Sequence, residues 1–284
     1  MSQKSIYESR TIPQILSPLL LLLLALVPAT LFAEGLGGFS LDRAKTPEEK
    51  GLAIALEADL RDSGFGDTVA ELQMVLRNLH GEESKRRMRS STLEMETDGD
   101  RSMVVFEEPR DVKGTAFLSF THRSGPDDQW LYLPALKRVK RIASNNKSGP
   151  FMGSEFAYED IASQEVEKYT YKFIGEEEVD GEAAYVVERY PLDKKSGYTR
   201  QVTWFDQTHF RPLKIVFYDR KDALLKTLTY HAYQQYKDRF WRAEQMKMMN
   251  HQTGKSTVLV WEGYQFATGL SERDFDKNSL KRAR

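Results

Sequence analysis

Apolar positions along this chain follow three successive patterns. Leu19 to Val27 is an unbroken apolar run bracketed by Pro18 and Pro28. Between Thr46 and Ser63 the spacing turns helical, with Leu52, Ile54, Ala55, Leu56 and Leu60 forming a stripe opposite Glu57, Asp59 and Arg61. Thr46-Pro47-Glu48-Glu49 supplies a capping threonine, a proline at the first helical position and a glutamate at the third, which is a capping box. Ser63-Gly64-Phe65-Gly66 ends that helix, and the period then drops to two.

Short alternating runs recur to the end of the chain. Ala70, Leu72, Met74 and Leu76 precede the His80-Gly81 turn, with Leu93 and Met95 on the return. Met103–Phe106, Ala116–Phe120, Trp130–Leu133 and Tyr169–Phe173 come next, and Asp180-Gly181 predicts a tight turn into Tyr185–Val187. Val202–Phe205, Leu213–Tyr218, Leu224–Tyr230, Trp241–Met249 and Thr257–Trp261 complete the set. Ten or eleven strands with short connections predict an antiparallel meander. A sheet that wide must curl into a barrel or part-barrel. One interval differs: Ser144 to Ser154 is long, polar and glycine-rich, yet it leads through Phe151, Met152, Phe156 and Tyr158, which are costly groups to leave in water.

The opening segment is an address rather than part of the fold. Lys4 and Arg10 precede the apolar run, and small residues come after Pro28, which is the order of a cleavable signal peptide. The run falls short of the roughly 20 apolar residues that span a bilayer. Cleavage is expected after Ala33, with Ala29 as the fallback, leaving a flexible leader over 34–45 and one domain over 46–284. These features predict export to the periplasm.

Composition narrows the chemistry. With 41 Lys and Arg against 42 Asp and Glu, the net charge of −1 offers no general attraction for nucleic acid. There is no cysteine, hence no disulfide, thiolate metal site or thiol nucleophile. His80, His122, His209, His231 and His251 lack ligand spacing, and no phosphate loop, dinucleotide fingerprint or nucleophile elbow occurs. We therefore expect no active site, metal or cofactor. The sharpest charge feature is Lys137-Arg138-Val139-Lys140-Arg141. It reads either as an edge strand whose charges deter aggregation or as a contact for anionic headgroups or an acidic membrane partner.

The stretch from Asp127-Asp128-Gln129-Trp130-Leu131-Tyr132-Leu133-Pro134 through Lys137–Ile142, then Gly149-Pro150-Phe151-Met152-Gly153-Ser154-Glu155-Phe156-Ala157-Tyr158-Glu159-Asp160, resembles outer-membrane lipoprotein-sorting-like proteins of the LolA-like superfamily. The resemblance runs from about Thr46 to Leu280 and includes Asp111–Leu118 and Lys226-Thr227-Leu228. It implies a mainly β fold: a curved antiparallel sheet forming an incomplete half-barrel around a hydrophobic cavity, with the N-terminal helix as lid. It also implies a carrier of lipid or lipoprotein acyl chains, partnered with an inner-membrane exporter of the RND/MMPL type. This chain is longer than the dedicated lipoprotein carrier, so individual ligand contacts do not transfer.

Exposing a sixteen-carbon chain to water costs about 12 kcal/mol at ~0.8 kcal/mol per methylene, so a carrier must offer an equivalent apolar wall. Trp130, Tyr132, Trp204, Phe217, Trp241, Met246, Met248 and Trp261 are the large strand residues available to line it, if they are not ordinary core. Lys137, Arg138, Lys140, Arg141, Phe151, Met152, Phe156 and Tyr158 are the candidates for partner or headgroup contact. The alternative role is an interaction or sensor subunit of an exporter or envelope-signalling system, built on the same scaffold without transport.

Overall fold

In a computed structural model, residues 39–282 are described. The chain divides into two compact units at Phe39/Ser40. The expected signal peptide and residues 34–38 of the leader lie outside the described residues, and every described helix and strand belongs to the second unit. No helix among the described residues is long and apolar enough to cross a membrane.

Helix α1 (Pro47–Asp62) starts where its capping box predicts: Thr46 Oγ1 accepts from Glu49 N at 3.1 Å, and Glu49 Oε2 accepts from Thr46 N at 3.2 Å. Its buried face is narrow and small, made of Gly51, Ile54 and Ala55. Leu52 and Leu60 are exposed, although the helical stripe assigns them to the buried side. Gly51 explains the rotation. A Cβ there would lie 2.8 Å from the backbone nitrogens of Lys172 and Phe173, so the helix backbone rests directly on strand β7 (Tyr169–Val179) and turns its small residues toward it.

Six strands precede a long crossing segment: β1 (Asp67–Arg77), β2 (Glu83–Leu93), β3 (Arg101–Glu108), β4 (Ala116–Phe120), β5 (Asp128–Leu133) and β6 (Arg138–Arg141). Residues 142–168 then carry only short helical turns and α2 (Tyr158–Ile161). After β7 come β8 (Glu182–Pro191), β9 (Tyr198–Asp206), β10 (Pro212–Asp219), β11 (Leu224–Tyr236), β12 (Phe240–Asn250) and β13 (Ser256–Phe266), with α3 (Lys277–Arg282) near the end. Asp180 and Gly181 take the positive φ that the tight turn between β7 and β8 requires.

The thirteen strands of the described residues form one antiparallel sheet in the order β6-β5-β4-β3-β2-β1-β13-β12-β11-β10-β9-β8-β7. Every neighbour pair is consecutive in sequence except β1 with β13, where Leu72 faces Trp261 and Val75 faces Val258. The meander thus closes on itself at its termini and stays open between β6 and β7. The fold is the expected mainly β, curved sheet with an N-terminal helix, not closed into a barrel.

Period-two alternation divides the side chains between two faces. On β3 to β5, Val104, Phe106, Phe117 and Leu131 enter the inner core, while Val105, Ala116, Leu118 and Trp130 pack outside with Phe275 and Leu280. Residues 142–168 fold back into the inner face, bringing Phe151 and Phe156 against Phe117, Phe217, Met74 and Met248. This segment is a plug that fills one end of the trough.

Candidate functional site

The other end of the trough is left open by the fold. A cleft of about 930 Å³ lies between α1 and the inner face of the sheet. Its apolar floor includes Ile215, Tyr230, Met246 and Trp261, continuous with the inner core. Ala55 and Ala58 face it from α1, and small side chains there preserve the volume.

The C-terminal end of α1 is fastened to the sheet by three arginines. Arg61 donates to the Thr208 carbonyl at 2.6 Å and pairs with Glu57, Arg239 donates to the Ser63 carbonyl at 2.6 Å, and Arg242 pairs with Asp62. Arg211 lies 4.7 Å from the Tyr233 ring centre and 4.6 Å from that of Trp241, and pairs with Asp206 at 2.8 Å and Glu182 at 2.9 Å. Each of these guanidiniums is committed to holding the fold.

Toward the plug the cleft wall becomes acidic. Asp59 of α1 faces Glu165 and Glu167 of the crossing segment, with Asp100 beyond them. Burial lifts the Asp100 carboxyl to about 7, with Glu165 and Glu94 adding repulsion. Asp59 is lifted to about 6, first because surrounding protein desolvates it although water still reaches it, then by Glu165 and Glu167, against Arg123. Behind this wall Asp98 is held down to about 2 by the hydrogen bond from His122, whose own value rises in turn.

For Asp59 and Asp100 the folded-state pKa lies above the unfolded value of about 3.9, so between about pH 4 and 7 the native state binds more protons. Stability then falls as pH rises through that window. We expect the melting temperature to drop by a few degrees from pH 5 to pH 8, and the Asp59→Asn/Asp100→Asn variant to flatten that slope in a thermal scan.

The large residues singled out by sequence separate by strand parity. Trp241, Met246 and Trp261 line the cleft. Phe217 and Met248 are packed in the inner core beside the plug. Trp130 and Tyr132 sit on the outer face near α3, and Trp204 packs outside with Val186 and Leu213, its indole nitrogen donating to Glu177 at 2.7 Å. On that strand Thr203 and Phe205 are the cleft-lining pair. Of the second group, Phe151 and Phe156 are buried, and Met152 and Tyr158 are half-buried against the same core. Lys137, Arg138, Lys140 and Arg141 are exposed, the last three on β6 at the sheet edge, with Arg141 paired to Asp128. Sequence pattern does not reveal the acidic wall, because Asp59, Asp100, Glu165 and Glu167 look like ordinary solvated charge until the fold gathers them.

Comparison with known proteins supports the same architecture. A candidate outer-membrane lipoprotein-sorting protein domain from Vibrio parahaemolyticus is 59% identical, covers 83% of this chain and 100% of its own, and superposes with a TM-score of 0.82. The chain belongs to this lipoprotein-sorting-like family. A DUF1329-family protein from Desulfovibrio piger is another relative, at 31% identity, the same coverage and a TM-score of 0.79. A LolA-superfamily protein from Nitrosomonas europaea, 23% identical with a TM-score of 0.66, shares the fold. Residues 98–282 match the model of a family described as an uncharacterized protein. None of the curated proteins matches. The family's scaffold therefore presents here a lidded trough, half plugged and half open. Among the described residues no group of three His, Cys, Asp or Glu is placed to hold a metal ion.

Proposed function

We propose that this protein is a periplasmic, non-enzymatic carrier that shelters the acyl chain of a lipid or lipoprotein in the cleft beneath α1, on the way to the outer membrane. The observation that carries the reading is the cleft itself. Its 930 Å³ lies near the top of the range of about 300–1,000 Å³ typical of small-molecule sites, and its floor continues the hydrophobic core. A trough plugged at one end and lidded by a single helix holds a chain without closing around it permanently.

Replacing Ala58 on the cleft-facing side of α1 by tryptophan sends an indole into that space. The expected result is at least a tenfold weaker uptake of a fluorescent fatty acid, about 1.4 kcal/mol, with the circular dichroism spectrum unchanged. Equal uptake by wild type and Ala58→Trp would place the chain elsewhere. Failure of the wild type to bind any fatty acid, together with a ligand-free protein in native mass spectra, would end the reading.

A second role draws support from the β6 edge, where Lys137, Arg138 and Lys140 stand exposed at the open side of the last strand in the sheet. We propose this edge as the contact for an acidic surface of a membrane partner, an RND/MMPL-type exporter being the candidate. If docking is the whole function, the protein is an interaction or sensor subunit and the cleft carries no cargo.

A further inference from the structure

Charge is polarised along the strands. Six strand-to-strand turns lie at the plugged end of the trough: 78–82, 109–115, 134–137, 192–197, 220–223 and 251–255. Neighbouring turns touch and make a rim. Arg220 donates to the Ser196 carbonyl at 2.9 Å, and Gln252 donates to the Leu224 carbonyl at 3.1 Å. A Cβ on Gly254 would lie 3.9 Å from the Leu79 side chain, and one on Gly114 would lie 3.6 Å from that of Pro134. These turns hold eight Lys and Arg against four Asp and Glu. Two of the four acids are matched from outside the turns, Asp193 by Lys147 at 2.7 Å and Asp222 by Arg200 at 2.9 Å, whereas none of the eight cations forms an ion pair among the described residues. At the cleft end the strand-to-strand turns 94–100, 121–127, 180–181, 207–211 and 237–239 reverse the balance, with four Lys and Arg against seven Asp and Glu. A chain of net charge −1 thus gathers positive charge at one end.

A second, independent observation falls on the same rim. Turn tips ordinarily carry glycine, proline and small polar residues. Yet Leu79, Leu136, Leu192 and Leu224, between 44% and 61% exposed, are four of the seven large apolar side chains exposed among the described residues. Three stand within these turns, and Leu224 is the first strand residue after one. Leu136 precedes Lys137, Leu192 is followed by Asp193-Lys194-Lys195, and Leu224 comes after Arg220-Lys221-Asp222-Ala223. Exposed leucines scattered singly over a surface need no explanation, but four collected on one cationic rim do.

We propose that this rim docks the protein on an anionic phospholipid surface, the leucines entering the interface while the lysines and arginines meet headgroup phosphates. Apolar insertion and attraction to anionic lipid reinforce one another, which is how peripheral proteins hold to a bilayer. Contacts with another protein concentrate their apolar groups at a centre. Here the leucines are spread along the arc from the β5–β6 turn to the β8–β9 turn, a distribution that suits a broad lipid surface. The acidic turns orient the molecule, with the plug toward the bilayer and the cleft end away from it. Lys137 stands where the rim meets the β6 edge. The inference goes beyond the carrier reading and does not depend on it.

The test is co-flotation of the full-length mature protein with vesicles, one set of phosphatidylglycerol and phosphatidylcholine in equal parts, the other of phosphatidylcholine alone. Binding to the anionic set is expected to be at least about tenfold tighter, and to weaken in about 0.5 M sodium chloride. Lys194→Glu/Lys195→Glu/Lys221→Glu should lose that advantage. Leu136→Ser/Leu192→Ser should weaken binding several-fold, with thermal melting of both variants close to that of the wild type. Equal binding to the two vesicle sets, or none to either, overturns the inference. A charge variant that loses binding beside a leucine variant that keeps it also overturns the inference, and points to an acidic protein surface as the occupant. Fatty-acid uptake is read on the same samples: uptake without docking leaves the carrier standing, and docking without uptake leaves the rim standing.

Discussion

Lys226→Met is expected to lower the unfolding free energy by about 3–5 kcal/mol, as breaking one side of a buried ion pair does. Lys226 Nζ lies 2.6 Å from Asp160 Oδ2, with the two side chains only 5% and 6% exposed. The same ammonium donates to the Glu155 carbonyl at 2.9 Å, and Tyr198 donates its hydroxyl to Asp160 Oδ1 at 2.8 Å. Asp160 also accepts from Ala157 N at 2.6 Å, so this one carboxylate ties β9, β11 and the plug together. Methionine keeps the shape of the lysine stem but leaves Asp160 charged, buried and short of its cation. Urea denaturation monitored by tryptophan fluorescence reads the loss. Adding Asp160→Asn removes the stranded charge, so the double variant should be less destabilised than the sum of its parts. A loss below about 1 kcal/mol for Lys226→Met, the level of an exposed pair such as Arg77 with Glu83, would show that the plug does not depend on this clamp.

Sequence pattern carried most of the strand layout because each strand advertises its own period. The Thr46 capping box, the Asp180-Gly181 turn and the alternation around Val104–Phe106 are local signals, and the structure uses each of them. The pattern yielded ten or eleven strands where the described residues form thirteen. Strand β2, with the sequence Glu-Ser-Lys-Arg-Arg-Met-Arg-Ser-Ser-Thr-Leu, shows how faint the signal can be: the pattern marks it only as a return through Leu93 and Met95, because of its residues only Met88 and Ser90 are buried and the strand itself ends at Leu93. The β1–β13 closure was silent for another reason, since pairing the first strand with the last depends on the curvature of everything between them. Parity decided the fate of the tryptophans. A pattern of alternation says that Thr203 and Trp204 face opposite ways, but not which face is the inside, and it is Thr203 that meets the cleft. The long interval from Ser144 has the composition of a solvated loop, yet its aromatic residues anticipate burial once a trough exists to receive them.

Phe151→Ala should cost about 3–5 kcal/mol, because the plug is too firmly bound to collapse onto the space left behind. The ring is 1% exposed and lies 5.2 Å from Phe117, 5.5 Å from Tyr158 and 5.9 Å from Phe106, centre to centre. Its backbone is fixed on both sides: Phe151 N donates to the Phe156 carbonyl at 2.7 Å, and Ser154 N donates to the Phe151 carbonyl at 2.9 Å. Further along, Glu155 N donates to Thr257 Oγ1 at 3.0 Å and Asn250 donates to Glu155 Oε2 at 2.7 Å, while Arg86 reaches the Met152 carbonyl. Phe151→Leu, which keeps most of the volume, should lose much less. Equilibrium unfolding of the two variants separates this account from its competitor. If both lose little, the plug yields, and the whole trough is available to cargo. If alanine is severe and leucine mild, the sheet is rigidly filled at one end, and the cleft beneath α1 is where the fold keeps its free volume.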